Sequence, residues 1–430
     1  MITQVTVREY ARLTTEPVES SLDCAQVSVS AFDWLCELSA SFSKSGATLL
    51  LVEGRRSLKL DSYVGVIETP CGTQLEILPK HTERLDCLED SRDILQRMIQ
   101  AALKLPTREV GAANLKLFNA PLSEWVMRQF LEGLDYLIKR GIRFDYQRVE
   151  EEQRFLRGQL NVTAQMRQPP GRQHHFQIRH DVFLPSRPEN RLLKLALERV
   201  CKSTQAPENW RLAHELRGVL TDVPSSTDKR EDFKLWRNEQ LMAHYQPIKP
   251  WCELILGEQS PLSVSGEWRG ISMLFPMEKL FEQYVEVLLR EQLVEGVRLL
   301  PQRGRYSLCT HQDKPMFKLK PDFLLEHDNQ TWVMDAKWKL INRADRSSKY
   351  GLSQADFYQL FAYGQTYLKG TGEMVLIYPK TERFAFALDE PFIFSDKLKL
   401  WVLPFDLEQG KLTGGGLANL PLAKRFTGAA

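Results

Sequence analysis

Two short stretches of this sequence hold residue types that can do chemistry together. Pro321-Asp322 opens one apolar run, and Asp335-Ala336-Lys337 closes the next. A polar turn, Glu326-His-Asp-Asn-Gln330, separates the runs, so the two read as strands of a hairpin. That hairpin brings Asp322 and Asp335 side by side at one end of a sheet. Two adjacent carboxylates repel, and a divalent cation is the usual remedy. Hard oxygen ligands suit Mg²⁺, with Mn²⁺ as a substitute. The carbonyl of Ala336 is a further ligand at the same place. Lys337 lies two residues past Asp335, and residues two apart on a strand share a face. Its ammonium can stand beside the metal and orient or help deprotonate a water. Metal, water and lysine together are what phosphodiester hydrolysis requires.

The flanking elements must position these groups. MEKLFEQYVEVLLREQLVE (277–295) reads as a long amphipathic helix that carries Glu278 and Glu282. A carboxylate from it can reach the metal or its water, with Glu282 the preferred position and Glu278 the rival. SQADFYQLFAYGQTYLKG (353–370) reads as a helix offering Gln354, Tyr358, Gln359 and Tyr363, of which Gln359 can reach a phosphate or the attacking water. Strands are expected again at EMVLIYP, RFAFAL and LWVLPF. An isolated Pro-Asp or Asp-x-Lys is common. The signal is the order: helix with Glu, Pro-Asp strand, apolar strand ending in Asp-Ala-Lys, helix with Gln.

Upstream, ATLLLVEG, RRSLKLDSYVGVIETP and GTQLEILPK make residues 1–90 a β-rich N-terminal domain. Residues 91–260 read as a helical domain with segments at 90–105, 121–140, 188–202, 207–218 and 231–244. Within it RGQLNVTAQMR and HHFQIRHDVF read as strands joined by QPPGRQ, a basic β-hairpin at about 153–182. LGEQSPLSVSGEWRG (256–270) is the best linker. Residues 261–430 complete a mixed α/β C-terminal domain.

At 430 residues with 43% apolar side chains the chain can bury sizeable cores. Net charge is only +2, but 153–194 holds eight Lys/Arg against two Asp/Glu, and 298–349 eleven against six. Local basic blocks point to anionic partners at defined surfaces. No apolar run approaches a membrane span, and the first residues do not read as a secretory signal. Seven cysteines without a C-x-x-C pair exclude a zinc ribbon or a disulfide scaffold. They read as small buried apolar residues in a cytoplasmic protein. Trp332, Trp338 and Trp401 read as packing residues, and His174 and His175 as surface residues. No P-loop, H-E-x-x-H or G-x-S-x-G motif occurs.

The stretches MEKLFEQYVEVLLRE, PDFLLE, VMDAKWK and SQADFYQLFAYG resemble the PD-(D/E)xK nuclease superfamily, and more narrowly the McrC nuclease subunits of McrBC modification-dependent restriction systems. RGIRFDY, RGQLNVTAQMR, PENRLLKLAL and VPSST follow that family's order, so the likeness covers roughly residues 120–400. It implies a Mg²⁺-dependent endodeoxyribonuclease of antiphage defence, with Asp322, Asp335 and Lys337 at the catalytic motif positions, Glu282 as the helix glutamate and Gln359 as the glutamine of the following helix. It implies an AAA+ GTPase partner of the McrB type, which binds methylcytosine-type modified double-stranded DNA and whose hydrolysis this subunit stimulates. Arg157, Arg167, Arg172 and Arg179 then fall where the family's partner-reaching finger would be. Contact with the motor, contact with the DNA backbone and a solvated hairpin all remain open for them. A non-enzymatic alternative is an assembly and GTPase-activating subunit whose nuclease-like fold only binds DNA.

Overall fold

A computed structural model describes residues 3–43, 48–80, 88–103, 105, 121–169, 171–172, 174–257, 272–302 and 304–423. It is a mixed α/β protein of two compact units, residues 1–122 with 272–430, and residues 123–271. The linker expected at 256–270 lies almost wholly outside the described residues.

The N-terminal part of the first unit contains β1 (Thr3–Arg8), β2 (Arg12–Thr14), β3 (Cys24–Gln26), β4 (Leu50–Val52), β5 (Ser57–Leu60), β6 (Tyr63–Glu68) and β7 (Thr73–Leu78). The expected strand-rich character is present, but a helix, Val29–Ser43, stands among the strands. A second helix, Leu88–Ala102, occupies the apolar-periodic segment before Pro106. One ion pair ties these pieces together. Glu76 on β7 is fully buried and accepts from the Arg92 guanidinium at 2.6 Å, the Leu122 amide at 2.9 Å and the Thr6 hydroxyl at 3.0 Å.

The second unit begins along helix Leu122–Arg140 and includes β8 (Asp145–Gln153), β9 (Gln159–Leu160) and β10 (Phe176–Leu184). The basic block differs from its expected form. The long antiparallel ribbon pairs β8 with β10, residue 145 opposite 184 through 153 opposite 176. RGQLNVTAQMR supplies only the two-residue β9. Asn161 then caps a short helix, Val162–Met166, its side chain accepting from the Ala164 amide at 3.2 Å. Gly158 has φ +71, and a Cβ there would stand 2.4 Å from the Arg179 carbonyl, so the chain can close against β10 only with glycine. Helices Pro188–Ser203 and Pro207–Val219 lie as expected, but the helix expected over 231–244 ends at Leu235 and resumes as a 3₁₀ turn at Gln240–Tyr245. Glu124 anchors this unit by accepting from Thr204 Oγ1, the Gln205 amide and Asn209 Nδ2 at 2.6–2.8 Å.

The chain returns to the first unit through β11 (Met273–Pro276), which pairs antiparallel with β6, so the first ninety residues and the last third share one sheet of order β1-β7-β6-β11. Helix Met277–Gln292 buries Met277, Leu280, Phe281, Tyr284, Val285 and Leu289, the three-and-four spacing of one helical face. Then come β12 (Arg298–Pro301), β13 (Tyr306–His311), β14 (Lys314–Leu319), β15 (Phe323–His327), β16 (Gln330–Ala336), helix Gln354–Tyr367, β17 (Gly372–Pro379), β18 (Phe392–Ser395), β19 (Leu398–Asp406) and β20 (Lys411–Leu412). RFAFAL forms no strand; Thr381 and Phe384 make an isolated bridge. The main sheet has the order β12-β15-β16-β17-β19-β18, with β20 on β19. β15 and β16 are antiparallel, and β16, β17 and β19 run parallel.

Helices cover both faces of this sheet. Val333, Leu324, Met374 and Leu376 pack with Leu360 and Tyr363 of helix Gln354–Tyr367. On the opposite face Phe281 lies against Trp338 at 5.3 Å and Phe405 at 6.3 Å between ring centroids. Gly364 lets the first helix sit down on the sheet, since a Cβ there would come within 2.8 Å of Leu398 and Met374. Trp332 and Trp338 are buried as expected; Cys252 is buried too, but Cys71 and Cys309 are exposed, so the thiols do not all serve as core residues.

Replacing Arg92 with Met would strand the Glu76 carboxylate without its charge partner. Breaking a buried pair in this way costs about 3–5 kcal/mol. Arg92→Met is therefore expected to lower the thermal midpoint by several degrees, measurable by calorimetry, and an unchanged midpoint would refute the role given to the pair.

Candidate active site

The Asp-Ala-Lys strand end is positioned by alternation. Val333 packs under helix Gln354–Tyr367, so Asp335 and Lys337, at even spacing from it, face that side too. Met334, Ala336 and Trp338 fall on the opposite face, where Trp338 meets Phe281. The β15–β16 turn is two residues, Asp328 and Asn329, with φ of +44 and +62. Left-handed residues at both positions give the turn whose twist suits a tight hairpin. It sets Phe323 opposite Met334, and hence Asp322 next to Asp335. Asp322 lies just before β15 rather than on it.

Asp335 is 1% exposed, and neither carboxylate oxygen has a hydrogen bond of good geometry. Its compensation is an ion pair, with Lys337 Nζ 2.6 Å from Oδ2. Asp322 Oδ2 accepts from the Ala336 amide at 2.8 Å. Burial, then the charges of Asp335 and Glu282, push the Asp322 carboxyl up to about 8. Burial also raises Asp335, against the opposing pull of Lys337. Burial works against the charge on Lys337, but Asp335 and Asp322 outweigh it and hold the ammonium protonated above its ordinary range.

Glu282 is half-buried and its pKa is raised by burial, lowered by a hydrogen bond from Gln302, and raised by the charge of Asp335. Glu278 is exposed, and its charge bears on Tyr10 and Tyr63 instead. Gln302 was not singled out from the sequence. Its Nε2 donates to Glu282 Oε1 at 2.7 Å, and its amide donates to the Asp322 carbonyl at 2.9 Å, from a left-handed backbone at φ +44. It bridges the helix glutamate to the Pro-Asp segment. Gln359 Nε2 donates to the Tyr363 hydroxyl at 2.7 Å, which donates to the Lys320 carbonyl at 2.9 Å. Thus Glu282 comes from one layer of the fold, Gln359 from the other, and the carboxylate pair from the sheet between them.

A further buried group supports the strand end. Glu9 is fully buried and accepts from Trp338 Nε1 at 2.6 Å and from the Lys80 amide at 2.7 Å. Burial raises its pKa to about 7. Glu9 thereby fixes the residue that follows Lys337. No sequence motif marks Glu9, because its partner lies more than 300 positions away.

The basic arginines form a separate set in the second unit. Arg157, Arg167 and Arg172 lie exposed between β8 and β10 and have no carboxylate partner among the described residues. Arg179 sits on β10 and is paired with Glu150 at 2.6 Å. His174 is exposed, and His175 is half-buried against Glu152 at 2.6 Å.

A family model described as "McrBC 5-methylcytosine restriction system component" matches residues 58–379, a stretch that holds Glu282, Asp322, Asp335, Lys337 and Gln359. The chain belongs to this McrBC family. In fold it is similar to a chain of the Thermococcus gammatolerans assembly described as a refined half-complex of McrB AAA+ hexamers with bound McrC. The TM-score is 0.70 at 19% identity, over 94% of this chain and 95% of that one. A chain of the cryo-EM structure of the Thermococcus gammatolerans McrBC complex is similar with a TM-score of 0.50 at 19% identity, over 67% of this chain and 87% of that one. No curated protein matches the sequence.

The buried Asp335, whose oxygens lack hydrogen bonds of good geometry, beside the half-buried Asp322 fits a divalent cation, although no three His, Cys, Asp or Glu side chains converge into a ready cage among the described residues. The raised Asp322 gives a signed expectation. Its folded pKa lies above the unfolded value, so its contribution to stability is full below about pH 4 and is lost as pH rises through about 8. A cation must displace that proton. Apparent Mg²⁺ affinity, read from the metal-induced rise in thermal midpoint, should climb by up to about tenfold per pH unit below pH 8 and then level off. Asp322→Asn should flatten the profile. A wild-type profile without pH dependence would count against this site.

Proposed function

We propose that this chain is the endonuclease subunit of a modification-dependent restriction complex, cutting DNA as a Mg²⁺-dependent phosphodiesterase of the PD-(D/E)xK type. The observation that carries the reading is the buried Asp335 beside the half-buried Asp322 at one strand end, with the Lys337 ammonium 2.6 Å from Asp335. In this reading Asp322 and Asp335, with the Ala336 carbonyl and Glu282 in support, hold the cation. Bound there, Mg²⁺ supplies Lewis-acid polarisation of the phosphate and a more acidic water. Lys337 stays charged, so it contributes a cation that stabilises charge developing on the phosphate and orients the nucleophile. Gln302 keeps Glu282 directed at the Pro-Asp segment. Gln359, held by Tyr363, would reach the phosphate or the attacking water.

Membership of the McrBC family, and likeness to chains from assemblies with McrB AAA+ hexamers, support a partner of that kind. The chain itself has no P-loop, so hydrolysis of GTP belongs to that partner and stimulation of it to this subunit. Arg157, Arg167 and Arg172, exposed and without carboxylate partners among the described residues, suit an anionic or nucleotide-site contact. The substrate is modified double-stranded DNA. Among the described residues no helix is long and apolar enough to cross a membrane.

One observation favours a second reading, a non-cleaving activator. Among the described residues no three metal-capable side chains converge, and Lys337 already compensates Asp335. Cleavage of modified plasmid in Mg²⁺, with the chain alone and with its AAA+ partner and nucleotide, separates the two. Asp335→Ala is expected to lower cleavage by at least about a thousandfold while leaving stimulation of the partner's hydrolysis within about twofold. Cleavage that survives the substitution would overturn the site assignment. Wild-type chain that stimulates but never cuts would establish the activator.

A further inference from the structure

The β13–β14 ribbon has no core of its own. Tyr306 pairs with Leu319, Ser307 with Lys318, Cys309 with Met316, Thr310 with Pro315 and His311 with Lys314. All of these except Ser307 and Leu319 are exposed, as are Leu308 and Phe317 between the ladder pairs. Leu308 is 57% exposed, Met316 41% and Phe317 72%. A two-stranded ribbon with both faces in water is marginal by itself, and clustered exposed apolar side chains mark a surface that something covers. Phe317 also sits at φ +54, a left-handed conformation that a bulky residue adopts only under constraint.

The root of the ribbon is rigidly joined to the candidate active site. Tyr367 stacks edge-on against Tyr306 at 4.9 Å and donates to the Leu319 carbonyl at 2.8 Å. Tyr363, the partner of Gln359, donates to the carbonyl of Lys320, two residues before Asp322. From Leu319 to Asp322 the chain can span roughly 10 Å, and a six-residue strand extends roughly 20 Å. The ribbon thus begins beside the carboxylates and is long enough to run along a duplex cut there. Its charge selects the occupant. Lys314, Lys318 and Lys320 are exposed without carboxylate partners among the described residues, against the single acid Asp313.

We infer that the Tyr306–Leu319 ribbon is a DNA-engaging arm of this site. It lies in a groove of the duplex beside the scissile phosphate, with Lys314, Lys318 and Lys320 on backbone phosphates and Met316, at even spacing from them on β14 and so on the same face, against base edges. A two-stranded ribbon fits the major groove, and lysines on phosphates set its register. The inference rests on the nuclease reading for the place of the cut, but DNA binding by the arm can be measured without cleavage.

The test uses the full chain with a short double-stranded DNA, without divalent cation, by fluorescence anisotropy over a range of salt. Lys314→Glu with Lys318→Glu should weaken binding at least about tenfold and reduce the salt slope by about two. Met316→Ser should weaken binding with the salt slope unchanged. Both should slow cleavage by the complete complex at least about tenfold and leave the partner's nucleotide turnover as in wild type; circular dichroism and thermal midpoint check the fold. Wild-type binding in both variants would overturn the inference, whether or not Asp335→Ala abolishes cutting. Loss in the lysine variant alone would reduce the ribbon to an electrostatic contact and overturn its insertion in a groove. A change in sedimentation without a change in DNA binding would assign the ribbon to contact with a second copy. Weakened DNA binding in a chain that never cuts would leave the arm standing and remove the nuclease reading.

Discussion

Keeping a buried carboxylate, Asp335, against a half-buried one, Asp322, is the constraint around which the candidate site is arranged. Water cannot relieve the repulsion between Asp322 and Asp335, so the protein must do it with a cation, a proton or a donated hydrogen bond. The surroundings offer each in part. Lys337 stands against Asp335, the Ala336 amide donates to Asp322, and burial raises the Asp322 carboxyl until a proton is retained near neutrality. Such a pair is poised rather than satisfied, and clustered carboxylates with raised pKa values are the kind of arrangement that the proposed cation site calls for.

Holding a poised pair requires rigid support on every side. The apolar strands β15, β16 and β17 fix the strand ends, and the helices on the two faces each send one polar residue around the sheet edge. Glu282 is aimed by Gln302, and Gln359 by Tyr363. Phe281, next to Glu282, packs on Trp338, next to Lys337. The aromatic contact therefore ties the helix glutamate and the lysine to one another through their neighbours. Polar precision here comes from apolar packing one residue away.

The N-terminal strands take part in the same arrangement. β6 pairs with β11, which leads directly into helix Met277–Gln292, and Glu76 clamps Arg92 on a helix that packs beside it. Glu9 holds the indole of Trp338. Residues 1–122 are thus part of the compact unit that carries the carboxylates, not an appendage to it. The other unit, by itself, presents a long ribbon with exposed arginines between its strands.

Local rules in the sequence determined a good deal. The apolar run ending in Asp-Ala-Lys placed β16, the polar stretch Glu326–Gln330 marked the turn before it, and amphipathic spacing marked the helix that bears Glu282. These follow from neighbours within a few residues, so they are legible without the fold. Local reading went astray where a single side chain redirected the backbone: Asn161 turned an expected strand into a short helix, and Trp236 to Glu239 interrupt what looked like one helix. Only the tertiary structure decided that Glu282 rather than Glu278 faces the carboxylates, that Gln302 aims it, and that Glu9 braces Trp338. Those choices depend on contacts between residues 20 to 329 positions apart. Helical spacing allows several rotations of a helix edge, and a buried acid has no signature in sequence until its partner is brought to it.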